Sequence, residues 1–163
     1  MPTFRWWIDE PLVMGRSNPR DEELAELRAQ GFSVAVSLLD ENKEPPRYDT
    51  KLAELAGWSI HSIPIAEGGA PSLDQICDFT ARLTALPEGT KVLVFCESGL
   101  GRTAFMGAVY WCMKGLTASE AIIRVEQAGL EPDWITAERE NLLHRYERLQ
   151  RDAGTKKQRS PVS

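Results

Sequence analysis

Histidine is scarce in this 163-residue chain, with two in all, and cysteine is limited to three. His61 and His144 fall in a predicted strand and a predicted helix without ligand-spaced companions. That sets aside an imidazole-built metal centre and leaves both as structural residues. Cys77, Cys96 and Cys112 are odd in number and widely spaced, a pattern of free thiols in a reducing compartment rather than of a disulfide framework. Long apolar runs are missing too. None approaches the roughly 20 residues that cross a bilayer, and no basic-then-apolar segment opens the sequence. Membrane insertion and secretion are therefore not expected, and a cytoplasmic location is. Positive charge is in deficit, with 19 Lys and Arg against 24 Asp and Glu and a net charge of −5. A general nucleic-acid binder needs the opposite balance. Internal repeats and inter-domain linkers are also absent.

What is present reads as an ordinary folded domain, 42% hydrophobic and 26% charged, long enough to bury a core without staples. "FRWWID" and "LVMGR" read as short strands. "SNPRDEELAELRAQGF" carries helix signals: Ser17 or Asn18 as cap, Pro19 near the first turn, early acidic residues and Gly31 as stop. "SVAVSLL" is a β-branched strand, followed by the loop "DENKEPP" and a short helix in "YDTKLAELAG". "WSIHSIPI" is the next strand, and "EGGAP" the break after it. Ser72 and Gln75 form a capping box for "SLDQICDFTARLTAL". "KVLVF" is continuously apolar, as in a strand covered on both faces. Thr117 and Glu120 cap a further helix, and "TAERENLLHRYERLQ" is the last. The order predicts an α/β fold with a central, mostly parallel sheet flanked by helices. Residues 1–152 are expected to form a single domain, and 153–163, basic and without apolar periodicity, a disordered tail.

The chemistry concentrates in "VLVFCESGLGRTAF", where an apolar strand runs through a glycine-punctuated loop into a helix. Gly99 and Gly101 let the backbone curl so that its N–H groups converge. The helix beginning near Arg102 turns its positive end to the same point, which suits phosphate. A cysteine in that field is expected to stand largely as thiolate. Arg102 adds a planar fork for two phosphate oxygens, and the Thr103 hydroxyl can steady the thiolate as it leaves. The constellation is a nucleophile in an oxyanion cradle. Cys77 and Cys112 lie in predicted helices and read as structural.

"CESGLGRT" resembles the signature of the protein tyrosine phosphatase superfamily: cysteine, five residues, arginine, then Ser or Thr. The resemblance is closest to the small dual-specificity phosphatases, and extends through "VSLLDENKEPP", "IPIAEGGAPSLDQ" and "TAERENL". It implies the cysteine-phosphatase fold, with Cys96 as nucleophile forming a phosphocysteine. The amides of Glu97, Ser98, Gly99, Leu100, Gly101 and Arg102, with the Arg102 guanidinium, would bind the phosphoryl group. The implied substrate is a phosphorylated protein or small aryl phosphate, with no metal and no cofactor, and a monomer is expected.

Three departures from the family pattern bear on mechanism. Phe95 stands where histidine usually precedes the cysteine; one reading is that it fills core space beneath the loop. Glu67 stands where the general acid is usually aspartate, with Asp40 and Asp74 as alternatives, and Gly68 and Gly69 give its loop freedom to adjust. Ile135 stands where many relatives have a water-positioning glutamine. Glu97, expected to point outward, would repel polyphosphates. The five tryptophans read as core or rim, Trp134 bordering the cleft. The competing reading is a phosphate-binding pseudophosphatase. A rhodanese-like loop would have a different cysteine-to-arginine register, and a small arsenate reductase would carry its loop at the N-terminus, so neither fits well.

Overall fold

The β-branched and aromatic runs pair into a single sheet, and the amphipathic segments cover both of its faces. The computed structural model describes residues 4–159. β1 (Arg5–Asp9) and β2 (Val13–Arg16) form an antiparallel hairpin at one edge. β2 then runs parallel to β5 (Lys91–Phe95), β5 to β3 (Phe32–Ser37) and β3 to β4 (Ser59–Ser62). The five-stranded order is β1-β2-β5-β3-β4, so β5, the most continuously apolar strand, is central. This is the mixed α/β architecture expected from the alternation of elements.

Period two in β5 sorts its side chains onto opposite faces. Val92 and Val94 join a core with α3 (Leu73–Thr84), α4 (Gly101–Met113), α5 (Ala118–Glu126) and α6 (Ala137–Arg159). Leu93 and Phe95 join a smaller core with α1 (Asp21–Ala29) and α2 (Thr50–Leu55). α4 is buried along nearly its whole length. It is the helix that leaves the carboxyl end of β5, which places its N-terminus at the carboxyl edge of the sheet.

Both expected capping boxes form. Ser72 Oγ accepts from Gln75 N at 3.1 Å while Gln75 Oε1 accepts from Ser72 N at 2.9 Å. Thr117 and Glu120 make the same exchange at 3.2 and 2.9 Å. The start of α1 differs from the sequence reading. Arg20, not Ser17 or Asn18, precedes the helix, and Glu23 Oε1 accepts from its N–H at 3.1 Å. Ser17 and Asn18 are instead buried against the site. A 3-10 turn at Pro132–Trp134 precedes α6. α6 continues to Arg159, through most of the segment set apart as a tail. Lys, Gln and Arg are good helix formers, so an established helix propagates through them; residues 160–163 lie outside the described residues.

Candidate active site

Phe95 ends β5 and Cys96 follows it, the two facing opposite sides of the sheet. Phe95 is fully buried and meets Tyr48 edge-on at 6.0 Å between ring centroids. It fills core space beneath the loop. Cys96 faces the other core and is 1% exposed. Its Sγ accepts a hydrogen bond from Thr103 Oγ1 at 3.0 Å, so the first turn of α4 reaches back to the sulfur.

The loop between them is held from three directions. Gly99 has φ +81°, and a Cβ there would meet the backbone of Arg16 and Ser17 at 2.5 Å. Trp6 Nε1 donates to Gly99 O at 2.9 Å. Asn18 N donates to Glu97 O at 3.2 Å, and Asn18 Nδ2 to Glu97 Oε2 and Pro45 O, each at 3.1 Å. Within the loop, Leu100 N donates to Ser98 Oγ at 3.2 Å. Glu97 does not project freely into solvent as expected: Arg47 forms an ion pair with it. Its charge is thereby offset locally, and the repulsion of polyphosphates argued from it loses its basis.

Arg102 is 4% exposed and has a partner that the sequence reading passed over. Its Nη1 and Nη2 donate to the two carboxylate oxygens of Glu44 at 2.7 and 2.8 Å, and Nη1 also donates to Ile65 O at 2.8 Å. The Arg102 hydrogen bond holds the Glu44 carboxyl below its ordinary range, against the opposing pull of burial. A guanidinium has donors on two edges. The end-on edge is taken by Glu44, and the edge formed by Nε–H and the second Nη2 N–H remains for two oxygens of an anion. Glu44 lies in the "DENKEPP" loop; the only sequence signal for it is that a buried arginine requires a carboxylate.

Glu67 is exposed at the tip of a turn in which Gly69 N bonds to Ala66 O at 2.9 Å. Its charge reaches Arg102 and favours the charged guanidinium. Asp40 meets the Glu44 loop through its main chain, the backbone N–H donating to Glu44 Oε1 at 3.1 Å. Asp74 sits in the first turn of α3. Ile135 is half-buried against the larger core and offers no polar group. Beside the loop, Phe4, Leu100, Leu130 and Trp134 line a cavity of about 300 Å³ that Glu131 and Asp133 also border. Cys112 is buried in α4, where burial pushes its thiol up to about 12, and Cys77 is exposed on α3. Among the described residues, no group of His, Cys, Asp or Glu could hold a metal ion, and no helix is long and apolar enough to cross a membrane.

A sheet of this order, with an arginine-closed cysteine loop between its central strand and its central helix, defines a small dual-specificity phosphatase of the protein tyrosine phosphatase superfamily. More narrowly, residues 12–116 match the family described as "Polymorphic toxin system, DSP-PTPase phosphatase", and the chain belongs to it. Among solved structures it is similar to Tk-PTP in the active form, with a TM-score of 0.74 and 29% identity, covering 88% of this chain and 96% of that one. PTPMT1 in complex with PI(5)P superposes with a TM-score of 0.80 at 16% identity, over 92% of this chain and 98% of that one, a likeness of fold. The human cyclin-dependent kinase inhibitor 3 is 36% identical over 58 residues. That match spans 35% of this chain and 27% of the relative.

Proposed function

We propose that the protein is a cysteine-dependent protein phosphatase that hydrolyses phosphotyrosine, with phosphoserine and phosphothreonine as further substrates. The observation that carries this reading is Thr103 Oγ1 donating to a Cys96 Sγ seated under a loop whose far end is Arg102. The loop amides and the free edge of Arg102 bind the phosphoryl oxygens, and Glu44 holds that guanidinium in place beforehand. Cys96 Sγ attacks phosphorus, forming the S–P bond as the ester P–O bond breaks, and Glu67 gives its proton to the leaving oxygen. Water then attacks the phosphocysteine, Glu67 takes back a proton, and the thiolate departs toward the Thr103 hydroxyl. No step uses a metal or a cofactor, so turnover is expected to survive exhaustive chelation with EDTA.

A single pair of measurements tests the assignment. Cys96→Ser should abolish hydrolysis of an aryl phosphate while inorganic phosphate or tungstate still binds, since the amides and Arg102 do not need the thiol. Undiminished hydrolysis by Cys96→Ser would sink the phosphocysteine route. The apolar Ile135 favours one alternative, a phosphate-binding pseudophosphatase. That reading predicts oxyanion binding by the parent with no turnover of any phosphomonoester.

A further inference from the structure

Two buried arginines grip the turn that carries Glu67, one on either side of it. Arg102 Nη1 donates to Ile65 O at 2.8 Å. On the far side, Arg139 donates from Nε and Nη2 to Gly69 O at 3.2 and 2.9 Å. Glu67 stands between these two carbonyls. Arg139 Nη1 also donates to Trp134 O at 2.6 Å. One planar group therefore ties the turn to the segment that leads into α6. A Cβ placed on Gly101 would lie 3.3 Å from Arg139 Nη1, so the guanidinium sits directly behind the phosphate loop.

The charge of Arg139 is as telling as its bonds. Arg139 is 4% exposed, like Arg16 and Arg102 at 2% and 4%. Arg16 is paired with Glu23 and Arg102 with Glu44. Arg139 makes no ion pair with a carboxylate among the described residues. Burial first, and Arg102 second, disfavour its charged form, while Cys96 and Glu138 favour it. A buried cation held only by carbonyls is costly unless an anion balances it. The place for a balancing anion beside it is the loop over Cys96, and the phosphoryl group that would enter it is such an anion.

We propose that Arg139 is a positioning residue with two separable effects. Its planar fork fixes the Glu67 turn over the phosphate loop, and its charge strengthens anion binding in that loop. The inference rests on the phosphatase reading for the first effect and on the loop's anion-binding geometry alone for the second. Nothing in residues 12–116, the extent of the family match, contains this group.

The test compares Arg139→Gln and Arg139→Lys. Tungstate affinity is measured by calorimetry in the Cys96→Ser background, kcat in the active background on a series of aryl phosphates of rising leaving-group pKa, and Tm on every variant. Arg139→Gln should lose about tenfold or more in tungstate affinity, the scale of one unit charge acting through the protein at short range. Its kcat should fall by about 10- to 100-fold on poor leaving groups, the scale of a misplaced acid, and less on good ones. Arg139→Lys keeps a point charge but not the fork. It should recover most of the tungstate affinity and leave the leaving-group sensitivity steep. If Arg139→Gln lowers only Tm, with affinity and leaving-group slope unchanged per folded molecule, the proposal is overturned. Loss of both properties to the same degree in Arg139→Lys overturns the separation of charge from fork. Should Arg139→Gln fail to fold, the Lys variant carries the comparison. A parent that binds tungstate but turns over no ester removes the phosphatase reading, while the affinity arm still decides the role of the charge.

Discussion

At the scale of single residues, Glu44 decides how the site is preset. Its carboxylate takes the end-on edge of Arg102 at 2.7 and 2.8 Å in a buried setting. Removing one partner of such a pair strands the other charge and costs about 3–5 kcal/mol. Glu44→Ala should therefore lower Tm by about 10 °C, given about 2–4 °C per kcal/mol for a chain of this size, and weaken phosphate binding because Arg102 loses the bidentate pair that orients it and keeps only its bond to Ile65 O. Thermal denaturation with and without phosphate measures both. The Arg102 hydrogen bond depresses the Glu44 carboxyl in the folded state. A depressed carboxylate stabilises the fold fully above its unfolded value of about 4.3. That stabilisation is withdrawn as pH falls through the lower folded-state value. Glu44→Gln should accordingly flatten the acid side of the stability–pH curve. A curve for Glu44→Gln as steep below about pH 4.3 as the parent's would show that the pair does not carry the acid sensitivity.

At the scale of elements, the cysteine loop depends on contacts that come from elsewhere in the chain. Gly99 combines φ +81° with a 2.5 Å approach to the backbone of Arg16 and Ser17. The obstacle is main chain, so it cannot rotate away. Gly99→Ala should displace the loop and reduce tungstate affinity by at least about tenfold, since a left-handed alanine alone costs roughly 1–2 kcal/mol. Trp6→Phe keeps the ring in the core but removes the indole bond to Gly99 O. Its loss should be smaller, about 1 kcal/mol. Equal affinities in calorimetry for Gly99→Ala and the parent would show that the loop tolerates the shift.

The same elements show what was legible beforehand. The strand–loop–helix of residues 92–105 announces itself through local chemistry: an apolar run, glycines, and an arginine at the helix start. Both capping boxes are local as well, closed within four residues. Asn18 shows the limit. Its side chain reads as a helix cap, yet it is buried bonding Glu97 and Pro45, because tertiary contacts outcompeted the local role. Glu44, Trp6 and Arg139 were hidden for a related reason. Each reaches the site from far along the chain, and an acidic loop residue, a strand tryptophan and a helical arginine look no different from their exposed or core-filling counterparts.

At the scale of the whole molecule, the net charge of −5 includes carboxylates that flank the cysteine loop. On one side Glu97 is offset by Arg47. On the other, Glu131 and Asp133 are exposed beside Leu100 and Gly101 at the 300 Å³ cavity, and neither forms an ion pair among the described residues. Phe4 and Leu100 give that cavity apolar walls, suited to the stem of a long side chain. A phosphopeptide with Lys or Arg next to the phosphorylated residue would lay its stem on those walls and its charge against the carboxylates. Opposite charges about 4 Å apart in water gain roughly 1 kcal/mol. With two carboxylates, kcat/KM should favour a lysine-flanked phosphotyrosine peptide over its glutamate-flanked counterpart by about tenfold at low salt. The preference should shrink toward unity near 1 M salt, where the Debye length is about 3 Å. Glu131→Gln with Asp133→Asn should erase it while leaving turnover of a small aryl phosphate unaltered, because neither carboxylate reaches the phosphate loop chemistry. A preference that persists at high salt and in the double variant would place the charge selectivity elsewhere on the surface.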